Sequence, residues 1–145
     1  MPASKRELIA KDIVSTLLQI DDPKPILVSR DPIQVADLSD KQFPAVVIRT
    51  TDEEREDITM STSLNRRSGT ITYEITCYTR GLPVDTTLNE MAEVISEKLQ
   101  VDRTRNGNCL IAQTTGVEVN TETVSPYGEI TVMYEAFYDY IRGEN

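Results

Sequence analysis

Apolar residues recur along this chain with two different periods, and the periods divide it into helices and strands. Ile9, Ile13, Leu17 and Ile20 stand at helical spacing, flanked by Leu8, Val14 and Leu18, and predict an amphipathic helix near the N-terminus. Ser4 and Glu7 are placed to form a capping box that opens it. Asp21-Asp22-Pro23-Lys24-Pro25 should end it, because proline lacks an amide donor and disfavours helical geometry in the residue before it. Ile26-Leu27-Val28 predicts a short strand, and the polar stretch Pro32 to Lys41 a connecting loop. After Phe43-Pro44, the run Ala45–Thr51 is strongly β-prone and predicts a central strand.

The period then changes. Thr70–Thr79 alternates, with apolar residues at 71, 73, 75 and 77, as a strand with one buried face requires. Gly81-Leu82-Pro83 should end that strand. Leu88, Met91, Ala92, Ile95 and Leu99 return to helical spacing, with Glu90, Glu93, Glu97 and Lys98 on the opposite side. Thr87 with Glu90 offers a second capping box, and Asp85 is a further candidate cap. Beyond a loop over 102–107, two strands are expected around Cys109–Glu122 and Glu129–Ile141, joined by a turn at Ser125-Pro126-Tyr127-Gly128. The order α-β-β-β-α-β-β predicts one α+β domain over 1–145, a mostly antiparallel sheet with both helices on one face.

Length agrees with one domain, since 145 residues suffice to bury a core without a covalent staple. Charge narrows the function. Fifteen Lys and Arg against 24 Asp and Glu leave −9, the wrong sign for a general nucleic-acid binder or for an anionic membrane surface. The chain has no histidine, which removes Ser-His and Cys-His pairs and His-ligated zinc. Cys77 and Cys109 cannot build a four-thiolate site, form no CxxC motif, and read as core thiols of a protein made in a reducing cytoplasm. No apolar stretch reaches the length of a membrane span, and neither a Gly-x-Ser-x-Gly elbow nor a glycine-rich phosphate loop occurs. We therefore expect no catalytic residue, no metal and no cofactor.

Three features remain. Asp52, Glu53, Glu54, Arg55, Glu56 and Asp57 form an acidic cluster in what reads as a loop from Asp52 to Ser68, too long for an ordinary hairpin. Carboxylates can hold Mg²⁺ for phosphodiester chemistry, but here they crowd one segment with no partner elsewhere, so a solvated face is the plainer reading. The far limb carries Arg66 and Arg67; if the limbs pair, opposite charges support an extended hairpin, an arm able to reach a neighbouring subunit. Deleting Glu53–Arg67 is expected to leave the domain folded. The last strand places Tyr134, Tyr138 and Tyr140 on one face and Met133, Phe137 and Ile141 on the other. With Tyr127, these hold five of the eight aromatics (six Tyr, two Phe), so Tyr134, Phe137 and Tyr138 should pack within or between subunits. Arg103-Thr104-Arg105 could touch a phosphate, on a weak signal.

The series of segments resembles the tail terminator proteins of tailed bacteriophages, which are related to minor tail and tail-completion proteins. The resemblance runs through the helix Glu7–Gln19, Val28-Ser29-Arg30, Phe43-Pro44-Ala45-Val46-Val47-Ile48 with acidic residues after it, and the long loop. It continues through the strand Thr70–Arg80 ending at Gly81, the helix Leu88–Leu99 leading to Asp102-Arg103-Thr104, and two closing strands. The corner Arg105-Asn106-Gly107-Asn108 departs from the Gly-Gly turn common in relatives.

The resemblance implies a virion protein of the tail or neck, assembled in the host cytoplasm. It would form a homo-oligomeric ring, usually a hexamer, on the head-proximal end of the tail tube. Such a ring stops tube polymerisation and joins the tail to the head connector; in contractile tails it also meets the sheath. DNA would pass through the lumen without specific binding, repelled by an acidic wall. The interface residues expected on this reading are Asp52–Asp57, Arg66, Arg67, Tyr134, Phe137 and Tyr138. The alternatives are another neck protein, such as a head-completion or connector ring, a metal-dependent nuclease, or a soluble regulatory binding domain.

Overall fold

A computed structural model describes residues 4–20, 25, 27–31, 43–57, 66–80, 84–119 and 127–141. Ser4 takes extended backbone and its hydroxyl accepts the Glu7 amide at 3.3 Å, which opens helix α1 (Lys5–Leu17). The Glu7 carboxylate does not return the bond. It pairs instead with Arg30, just past strand β1 (Leu27–Ser29), and that hydrogen bond holds its pKa below the ordinary value.

The remaining elements are β2 (Ala45–Asp57), β3 (Arg66–Arg80), α2 (Val84–Gln100), β4 (Ile111–Val119) and β5 (Tyr127–Ile141). They form one five-stranded sheet in the order β1-β2-β3-β5-β4, with β1 parallel to β2 and every other pair antiparallel. The fold is thus α+β with the expected α-β-β-β-α-β-β order. Both helices lie on one face: Ile9, Ile13 and Leu17 of α1 and Leu88, Met91, Ile95 and Leu99 of α2 share a core with Val46, Ile48, Ile71, Tyr73, Ile75, Cys77, Val132 and Tyr134. The alternation read at 71, 73, 75 and 77 is a buried row.

Several boundaries move. β2 does not stop at Thr51 but continues through the acidic cluster to Asp57, because Asp52–Asp57 pairs with Arg67–Thr72, and β3 begins at Arg66, which pairs with Ile141 of β5. Pairing to a neighbour overrides the low strand preference of Asp and Glu. Helix α2 starts at Val84, so Asp85 and Thr87 sit inside its first turn and neither is the cap; Asp85 accepts a bond from Asn89 at 3.4 Å. β4 begins at Ile111 rather than Cys109, residues 120–122 lie outside the described residues, and Tyr127 and Gly128 belong to β5 rather than to a turn. Ser125 and Pro126 lie outside the described residues, as do 21–24, 32–41, 58–65 and 81–83. Cys77 and Cys109 are free, buried thiols whose pKa values burial raises to about 12 and about 11.

Candidate functional site

The sheet's second face carries no helix among the described residues. From Arg49 onward its side chains are half-buried or exposed: Thr70, Thr72, Thr76 and Thr131 alternate with Glu74, Glu129 and Glu135, and Met133 and Phe137 lie among them. Ala45 and Val47, near β1, are the buried exceptions. Asp52, Glu54, Glu74, Glu118, Glu129 and Glu135 all register on this face, against Arg49 and Arg80 among the cations whose side chains are described. It is therefore polar, as a one-sided sheet requires, and strongly acidic.

The expected arm is part of that sheet. Asp52–Asp57 pairs with Arg67–Thr72, so the limbs do form a hairpin, and Asp57 registers opposite Arg67. Beyond the hairpin expectation, β5 also pairs with β3 out to Arg66↔Ile141, which makes the arm a three-stranded ribbon. Tyr138 lies over Gly69 so closely that a β-carbon there would fall 2.5 Å from its ring. Deleting Glu53–Arg67 would remove the paired ends of β2 and β3 and leave the end of β5 without its partner. A bulge between Thr50 and Asp52 sets the facing of the acidic run. Glu53 turns toward the helices and pairs with Arg6 at 3.0 Å, while Asp52 and Glu54 register on the second face and are exposed. No described cation pairs with either of those two.

The aromatic residues divide by face. Tyr134 and Tyr138 are buried in the core, 1% and 2% exposed, so they pack within the domain; Phe137 alone of the three lies half-buried on the second face. Burial raises the Tyr134 hydroxyl to about 12, and it has no hydrogen-bond partner among the described residues. Tyr73, which the alternation marked only as core, ties α1 to the sheet by donating to the Arg6 carbonyl at 2.9 Å.

The corner after α2 is densely hydrogen-bonded. Asp102 accepts from the Thr104 amide and hydroxyl and from the Asn106 amide, at 3.0, 2.8 and 2.8 Å, which lowers its pKa. Arg105, Asn106 and Gly107 all have positive φ, at 49°, 61° and 79°. Arg105 is fully buried and joins the two helices. It donates to Thr16 Oγ1 of α1 and to the last-turn carbonyl of Leu99 in α2, both at 2.9 Å, and to the Asp102 carbonyl. Its Nη1 also lies 3.0 Å from Asp12 Oδ2, an ion pair without hydrogen-bond alignment. Burial nonetheless raises the Asp12 pKa, outweighing the attraction of Arg105. Arg105 is thus unavailable to a phosphate. The pattern Asp102-x-Thr104-x-Asn106-Gly107 was its legible signal, since Asp, Asn and Gly favour such closed turns.

Arg103 points the other way. It is exposed, with contacts at 3.5 Å to the Ala112 carbonyl and Gln113 Oε1, and it rims a cavity of about 230 Å³ at the β4 edge. Ala112 and Tyr134 are the buried lining, and Ser96, Gln100, Gln113 and Thr114 complete the wall. The lining holds one cation and no carboxylate.

Among the described residues no three of His, Cys, Asp or Glu stand close enough together to hold a metal ion, and no helix is long and apolar enough to cross a membrane. No family model matches the chain, and no curated protein does.

Proposed function

We propose that this protein is a structural subunit of a bacteriophage tail, forming a ring that caps the head-proximal end of the tail tube, ends its polymerisation and joins it to the head connector. One observation carries the reading: the sheet ends in two strand edges on opposite sides of the domain, and both are open. β1 pairs with Ala45–Val47 alone, so the outer edge of β2 from Ile48 to Asp57 has no strand beside it among the described residues. The outer edge of β4 has no strand beside it either; the Ala112 amide there is taken by the Arg103 carbonyl at 2.7 Å, and the edge is open from Gln113 to Val119, with Val117 and Val119 exposed. Open edges carrying apolar side chains invite association. Two different edges on opposite sides favour head-to-tail contacts, which close into rings or extend as filaments. The acidic second face suits a surface past which DNA moves without sticking.

The test is polymerisation of purified tail tube protein with and without this chain, imaged by electron microscopy. The proposal expects tubes that stop growing and carry a ring at one end. Tubes that elongate unchanged, with bare ends, would overturn it.

A further inference from the structure

We infer that the Arg103 cavity is a carboxylate receptor filled by Asp52 or Glu54 of a second copy of this chain. The inference rests on the ring reading and names the contact that would build the ring. Three observations meet at the cavity. Arg103 has no ion-pair partner among the described residues, because neighbouring Asp102 spends its oxygens on Thr104 and Asn106. The wall offers amide and hydroxyl donors beside the guanidinium, and such donors with a cation suit a carboxylate. Beneath them the Tyr134 hydroxyl is buried without a described partner.

The chain itself supplies the complementary group at the matching height. Across the sheet, Asp52 registers with Thr72, Thr72 with Glu135, and Glu135 with Gln113 of the cavity wall. Glu54 stands one step along, in the row of Thr70, Phe137 and Ile111. The exposed carboxylates and the cavity thus lie at one level on opposite edges. The two lie on opposite sides of the sheet, the carboxylates on the bare face and the cavity beside α2, so a second copy turned about the shared edge, not one in the same orientation, presents one to the other. In a chain of net charge −9, this cation-lined cavity gives like-charged subunits an attractive contact.

The direct test adds a peptide of residues Thr51–Asp57, free glutamate, or inorganic phosphate to the full-length protein and follows amide NMR shifts. The peptide should move the amides of Gln113 and Thr114 saturably, and Arg103→Gln should weaken that binding about tenfold or more while leaving the remaining spectrum in place. No shift at millimolar peptide, or equal shifts in Arg103→Gln, would overturn the inference. Glutamate or phosphate moving these amides where the peptide does not would replace the second copy with a free anion, and would also overturn it. The tube assay separates the two proposals. If wild type fails to cap, the ring reading fails. If wild type caps and Arg103→Glu caps equally well, the receptor alone is wrong. Restored capping in the same-chain charge swap Arg103→Glu with Asp52→Arg and Glu54→Arg would support it.

Discussion

The corner over 102–109 and the acidic run over 52–57 are both charged segments, and they are opposite in use. Both are short and polar. In the corner every charge turns inward or onto its own loop: Asp102 binds Thr104 and Asn106, and Arg105 bridges Thr16, Asp12, Leu99 and Asp102. Arg103 is the exception. In the acidic run one carboxylate, Glu53, is tied to Arg6, while Asp52 and Glu54 stay exposed on an open edge. A buried charge is tolerated only when its donors find acceptors, so the corner carries stability. An exposed one contributes little to stability and is free to serve a contact.

The largest expected effect belongs to Arg105. Arg105→Leu strips the bridge between the helices, leaves the Leu99 and Asp102 carbonyls short of donors, and places a branched side chain at positive φ. A loss of about 3 kcal/mol is expected in urea unfolding; a change under about 0.5 kcal/mol would erase the distinction between the two regions.

Next is Gly69→Val at the base of the arm. The Tyr138 ring fills the space that any β-carbon would take, so the ribbon should lose about 2 kcal/mol by overpacking. Unchanged stability would mean that Tyr138 is not held against the arm.

The smallest effect separates the regions by pH. The folded pKa of Asp102 lies below its ordinary 3.8, so its contribution is complete above that value and is lost as pH falls through the lower folded one. The stability gap between wild type and Asp102→Asn should therefore narrow below about pH 3.8. Asp12 shifts in the opposite direction, chiefly through burial and in part through the Asp102 charge, so Asp102→Asn also relieves some of that rise.

Most of the fold was legible because it rests on period. The helical stripes of α1 and α2 and the alternation in β3 are burial patterns written in single residues. Strand lengths were less so. Asp52–Asp57 looks like a loop in isolation and becomes a strand only because β3 pairs with it and β5 backs β3. The faces of β5 were readable, but which face the helices cover was not, so Tyr134 and Tyr138 could be core or interface until the layer was known. Of the site residues, Asp52 and Glu54 were marked by charge alone. Arg103 was marked beside Arg105, and nothing local says that one of the pair turns inward and the other rims a cavity.

The most direct test of the account is the Asp52→Lys, Glu54→Lys double variant, with unfolding stability and tube capping measured side by side. The account predicts stability within about 0.5 kcal/mol of wild type and tubes that lose their end rings. Capping at the wild-type level by the double variant would contradict it.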